Sequence, residues 1–216
     1  MSLDAKLLKR LQKALSVVDE RGTVGPRLID DARRLWDRAR RFINMGLVPR
    51  ESLEMDALEL ACYALQLPQR RGKTLSTGRQ ARSTLRERTE ESAELLVGLI
   101  GGDADESLLD RTTRVLHEMP HRTPVLDEAK LLADALNLED FGLAGMIAIA
   151  IHAGRQGEGL SQIARGIQKR EQYGYWDARI KDGFHFEQVR QLAVQRLEES
   201  RKWAAALLAE LKENGV

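Results

Sequence analysis

The chain has 216 residues, 43% hydrophobic and 31% charged, with 34 Lys and Arg against 33 Asp and Glu for a formal net charge of +1. That length suits one domain with a small appendage, and the apolar content is enough for a core. A near-neutral balance gives no global electrostatic case for nucleic acid or a membrane surface, and a single cysteine, Cys62, rules out an intramolecular disulfide and a thiolate metal cluster.

No apolar run approaches the roughly 20 residues needed to cross a bilayer. The best candidate, Leu143 to Ala153, is too short, and Met1-Ser2-Leu3-Asp4 lacks the features of a signal peptide. The expectation is a soluble, cytoplasmic protein. Cys62 lies in the apolar stretch Leu60 to Leu65 and reads as a small buried hydrophobe.

Helical periodicity dominates from the first residues. Leu3, Leu7, Leu8, Leu11, Leu15 and Val18 form one stripe, closed by Gly22 and Gly25, with Pro26 where a first helical turn tolerates it. A second helix carries Ile29, Ala32, Trp36, Ala39 and Ile43 on one face and ends near Gly46; Ser52 is placed to cap a third, with Leu58, Ala61 and Leu65 inward. After a loop over 68–78 comes a charged helix whose later part holds Ala93, Leu96, Val97 and Ile100, stopped by Gly101-Gly102-Asp103. Helices are expected from about Glu106 to Glu118 and from about Val125 to Asn137. Gly142 to Ala153 is apolar on nearly all sides and reads as a buried central helix, and a long last helix starts near Phe186 and ends near Asn214. No strand of consequence and no repeat is visible. The expected fold is all-α, a bundle-like packing of about eight to ten helices, with residues 1–25 an N-terminal helix and linker docked on the domain of residues 26–216 or on a second subunit.

The concentrated candidate chemistry is His117-Glu118-Met119-Pro120-His121. Its letters match the zincin pattern, which needs both histidines on one helical face with the glutamate beside a metal-bound water. Pro120 breaks that match, because it donates no backbone hydrogen bond and its ring collides with the carbonyl of Leu116, while Met119 before it is pushed out of helical geometry. His117 then ends a helix and His121 lies in a loop. Either both are ordinary terminal and loop residues, or both point into a polar pocket with an acid from the next helix. Asp127 and Glu128 suit a helix N-terminus. Asp134, between Ala133 and Ala135, needs a partner if buried.

Weaker features surround these. Gly154-Arg-Gln-Gly157-Glu-Gly159 lacks the spacing and strand context of a dinucleotide fingerprint. Arg70-Arg71-Gly72-Lys73, with Arg79 and Arg82, reads first as a solvated basic loop and second as a phosphate or RNA contact. Tyr173, Tyr175, Trp176, Phe184 and Phe186 interleave with Lys169, Arg170, Arg179 and Lys181; Arg170 and Lys181 would suit an anionic ligand if they face a cleft.

The order of these pieces resembles the HD-domain superfamily of metal-dependent phosphohydrolases over roughly Arg27 to Glu210. Asp31-Ala-Arg-Arg-Leu35 stands where that family has a His-x-x-Arg-aliphatic helix, and Glu59 to Pro68 resembles the apolar helix that ends in the name-giving His-Asp pair. Val115-Leu-His117 resembles a later helix ending in histidine, Asp134 to Gly142 resembles the signature supplying the last metal ligand, and Leu192 to Arg196 resembles the C-terminal helix. The resemblance implies a divalent metal at four positions, which here read Asp31, Leu65, Gln66 and Asp134. Leucine cannot ligate and glutamine is a poor ligand for a catalytic cation. The expectation is therefore a degenerate HD-like domain, a pseudoenzyme with no cofactor. It would serve as a binding or regulatory module for a small anionic ligand such as a nucleotide or phosphate ester, in a pocket of Asp31, Arg34, Gln66, His117, His121, Asp134 and Arg170. The alternative is a phosphohydrolase whose divalent metal (Mn, Fe, Zn or Mg) is held by Asp31, His117, His121 and Asp134. A third reading is a homo-oligomer joined through the N-terminal leucine stripe.

Overall fold

The computed structural model describes residues 3–18, 24–71 and 84–213, and over them the chain is all-α, with ten α-helices among the described residues. The chain divides into two compact units, Met1–Ala133 and Asp134–Val216. The division therefore falls far from residue 25, where the sequence suggests an appendage. The reason is visible in the first helix.

In the first unit, α1 (Ala5–Leu15) is capped by Asp4, whose carboxylate accepts from the Lys6 backbone N–H at 2.6 Å. Its Leu7, Leu11, Ala14 and Leu15 are buried, and the helix packs on α2 (Arg27–Asn44), α4 (Leu85–Ile100) and the 3-10 turn Leu67–Arg71. The leucine stripe is spent inside the unit, which removes the support for an oligomer contact there. Val18 is not part of the helix: Ser16 turns to extended backbone, and Val17–Val18 pairs antiparallel with Val24–Gly25, as β-branched residues favour.

In α2 the buried face is Leu28, Ala32, Leu35, Ala39, Phe42 and Ile43. Ala32, Ala39 and Ile43 of the expected stripe are on this face, while Leu28 and Leu35 take the places of Ile29 and Trp36. Ser52 does not cap α3 (Met55–Ala64). Its hydroxyl donates to the Pro49 carbonyl at 2.7 Å within a 3-10 turn, and the N–H of Glu54 is instead taken by Glu128 at 2.8 Å. Nearly every side of α3 is buried, because α2 and α5 (Glu106–Glu118) pack against it and α4 lies on α5. A capping box of Thr84 and Glu87 starts α4, and Asp105 caps α5.

The boundary between units lies within α6 (Asp127–Asn137). The second unit holds α7 (Leu143–Arg155), α8 (Leu160–Gln172), α9 (Tyr175–Asp182) and α10 (Glu187–Glu213), with α10 packed on the other three. Phe141 is its aromatic centre, 5.6 Å from Trp176 and 5.7 Å from Phe184 between ring centroids. Entry to α7 requires glycine twice. Gly142 has φ 84° and donates to the Ser200 hydroxyl at 2.9 Å, and a Cβ on Gly145 would lie 2.4 Å from the Asp140 carbonyl oxygen.

The expected burial of α7 on all sides does not hold. Met146 and Ala153 face inward, whereas Leu143, Ile147 and Ile151 are 50%, 47% and 52% exposed. No single helix among the described residues is long and apolar enough to cross a membrane.

Candidate functional site

In the HEMPH segment the helix ends ahead of Pro120, but Met119 keeps helical backbone angles, φ −53° and ψ −37°, against the expectation that the proline pushes it out of helical geometry. Helix α5 ends at Glu118, Met119 donates its N–H to the Val115 carbonyl at 3.1 Å, and His121 donates to the Glu118 carbonyl at 2.9 Å in a turn after the helix. His117 and His121 are both exposed. The Glu118 carboxylate is engaged structurally. One of its oxygens accepts from the backbone N–H groups of Val125 and Leu126, at 2.8 and 2.7 Å, just before α6. It satisfies donors that the start of a helix leaves open.

On α2, Asp31 accepts from Arg34 at 2.9 Å and lies 3.6 Å from Arg27. The Arg34 side chain is 60% exposed, and so belongs to a solvated helix face. Leu65 is fully buried, and its carbonyl accepts from the Arg88 guanidinium at 2.9 and 3.1 Å. Gln66 is buried with its side-chain oxygen accepting from Gln69 at 2.5 Å. Arg70 to Arg82, the basic stretch, lies at and beyond the edge of the described residues: 72–83 are outside them.

Two further polar groupings form in this unit. Glu128 is fully buried and receives three hydrogen bonds from Arg111, the shortest 2.8 Å, besides the Glu54 N–H. Partners 17 and 74 residues apart leave no local pattern. The second is on the faces of α2 and α3. Burial pushes the Glu59 carboxyl upward, reinforced by Asp56 and Asp37 and opposed by Arg40; burial also raises the Tyr63 phenol, which Arg33 and Gln12 hydrogen-bond. The helical spacing of Arg33, Asp37 and Arg40, and of Asp56, Glu59 and Tyr63, is the signal that could have revealed it.

In the second unit, Asp134 is fully buried and has the partner that its apolar neighbours demand. Its two carboxylate oxygens accept from the backbone N–H groups of His185 and Phe186, at 2.8 and 3.0 Å, just ahead of α10. Burial nevertheless raises its pKa to about 7, against the lowering effect of these two bonds and of Arg190. Arg170 is half-buried, with its guanidinium 5.9 Å from the Tyr175 ring centroid; Lys181 is exposed. Arg179 is tied to Asn137 and Asp140 at 3.0 and 2.5 Å. Of the aromatic cluster, Trp176 and Phe184 are core, while Tyr173 is 82% exposed.

The four positions that the HD resemblance assigns to a metal do not fit one held in that way. Leu65 offers no donor, Gln66 already accepts an amide proton, Asp31 is paired with arginine, and the Asp134 oxygens are each taken by a backbone N–H. Among the described residues no three His, Cys, Asp or Glu side chains are grouped to hold a metal ion.

Neither a family model nor a curated protein matches the sequence. In fold the chain is similar to the Bacillus subtilis protein YpgQ solved in complex with ADP, at 20% identity and a TM-score of 0.58 over 95% of each chain. The selenomethionine form of YpgQ is similar at 19% identity and a TM-score of 0.57, over 95% of this chain and 97% of that one.

Proposed function

We propose that this chain is a degenerate HD-like helical domain that binds a nucleotide or phosphate ester and acts as a binding or regulatory module without the family's metal centre. The observation that carries the reading is Asp134. At the position resembling the last metal ligand stands a buried carboxylate whose two oxygens each accept a backbone N–H. A carboxylate used as a structural brace is a poor seat for Lewis-acid activation of water. The order of motifs along the chain supports the HD-like part of the reading, and the fold likeness to a protein solved with ADP supports the nucleotide part. Arg170 beside Tyr175 is a cationic and aromatic pair suited to an anionic aromatic ligand.

The test is metal analysis of protein purified without chelator, together with titration calorimetry against ADP and a nucleotide hydrolysis panel with added manganese. The expected result is ADP binding, no stoichiometric metal and no turnover. Stoichiometric transition metal that is lost in His117→Ala, with turnover, would instead favour the alternative, a metal-dependent hydrolase that uses His117. Absence of ADP binding at millimolar concentration removes the nucleotide assignment.

A further inference from the structure

The first unit segregates its charge. Helices α1 and α2 together carry ten Lys and Arg against three Asp, whereas α3, α4 and α5 carry four Arg against nine Asp and Glu. The overall charge of +1 therefore conceals a basic surface of the kind that attracts a polyanion. On α2 the pairs Arg33-Arg34 and Arg40-Arg41 are exposed, and seven residues set them ~10.5 Å apart along the helix, away from its buried face. Gln12 of α1 and Arg33 of α2 both hydrogen-bond the buried Tyr63 phenol, which ties α1 to α2 at this point. Lys9 and Lys13, one turn apart on the exposed side of α1, extend the surface.

We propose that α1 and α2 form a nucleic-acid contact surface, on which Lys9, Lys13, Arg33, Arg40 and Arg41 hold the phosphates of a duplex without reading its bases. A guanidinium meets a phosphate in two-pronged geometry, and all six cations of α2 are arginines. The duplex form follows from the aromatics. Single strands are held by bases stacking on open rings. The three aromatic residues of this unit, Trp36, Phe42 and Tyr63, are buried or half-buried, and the Arg40 guanidinium lies 5.9 Å from the Trp36 ring centroid. A lipid surface is disfavoured, because an amphipathic helix binds there by sinking its apolar face into the bilayer. On α1 that face, with Leu7, Leu11 and Leu15, is buried within the unit.

Neighbouring acids set the strength. Asp30 lies 3.9 Å from Arg33, an exposed pair that yields readily to a phosphate, and Glu59 lies within electrostatic reach of Arg40. The contact is therefore weak and electrostatic throughout. Five phosphate contacts give log affinity against log salt a slope of about −4.5, so a Kd on the order of 1 μM at ~50 mM salt rises roughly 500-fold by ~200 mM.

Fluorescence anisotropy of a labelled twenty-base-pair DNA duplex, titrated with the full chain across this salt range, tests the surface directly. The expected result is the steep salt dependence above. Two variants, Lys9→Gln with Lys13→Gln and Arg40→Gln with Arg41→Gln, are each expected to reduce the slope by about two and to weaken binding tenfold or more at low salt. Arg165→Gln with Lys169→Gln, exposed on α8, is expected to bind like the unaltered chain. The proposal is overturned by no binding at low salt, by a loss as large in the α8 variant as in the other two, or by tighter binding of a single strand of the same length. Binding of phosphatidylserine vesicles by a chain that leaves the duplex unbound would also overturn it, assigning the surface to lipid.

Discussion

The carboxylate of Asp134 accepts the backbone N–H of His185 at 2.8 Å, across 51 residues of sequence. The bond holds the C-terminal half of α6 to the start of α10 within one unit. Burial makes the ionised form costly here, raising the pKa from 3.8 to about 7. Between those values the folded chain holds a proton that the unfolded chain has lost. The stabilising contribution is therefore complete below about pH 4 and is lost as pH rises to about 7, by up to about 4 kcal/mol. Urea unfolding at pH 4.5 and 7.5 is expected to show this decline, and Asp134→Asn to flatten it. A stability that instead rises across the window in the unaltered chain, with no change of slope in Asp134→Asn, would contradict the assignment.

Arg111 and Glu128 form a second long-range tie, but of a different kind. Glu128 is fully buried, so deleting its cation strands a charge. Arg111→Ala is expected to cost about 3–5 kcal/mol, and the paired replacement Arg111→Met with Glu128→Leu to recover much of it. Denaturant midpoints of the three proteins decide the matter.

Glycine substitutions in α7 separate close packing from helix propensity. A Cβ at Gly145 would meet the Asp140 carbonyl oxygen at 2.4 Å, so Gly145→Ala is expected to destabilise by roughly 1–3 kcal/mol. Gly154, in the same helix, has nothing within 4 Å of a built Cβ, and Gly154→Ala is expected to be neutral or stabilising by up to about 1 kcal/mol. Thermal melts of the two variants should move in opposite directions.

Within the HEMPH segment the order of importance is the reverse of a zincin's. His117→Ala and His121→Ala are expected to change stability by less than about 0.5 kcal/mol, because both side chains are exposed. Glu118→Ala removes an acceptor shared by two backbone donors and is expected to cost about 1 kcal/mol.

Much of this fold is legible in the sequence because helix ends here carry local signals. The 3.6-residue period with Asp105 before it locates α5, Pro120 ends it, and the run beginning after Phe186 locates α10. Short α9 is harder to see, since its eight residues span barely two turns and begin at Gly174 with φ 62°. The candidate site is less legible for a physical reason. A lone acid such as Asp134 announces that it needs a partner, but backbone N–H groups occur at every residue and so leave no mark at 185 and 186. Arg111 and Glu128 are likewise ordinary charges on two different helices until packing brings them together. The apolar face of α7 misleads in the other direction: hydrophobicity on all sides implies burial, and half of that face is open.

The Glu118 brace has one more consequence, in the time domain. Val125 is 79% exposed as a side chain, and its loop would ordinarily exchange its amide hydrogens as fast as an unfolded peptide. With the Val125 and Leu126 amides both bonded to one carboxylate, solvent must wait for that corner to open before it can take either proton. The letters that imitate a protease thus mark a slow clock on the protein surface, and its rate depends on the glutamate and not on either histidine.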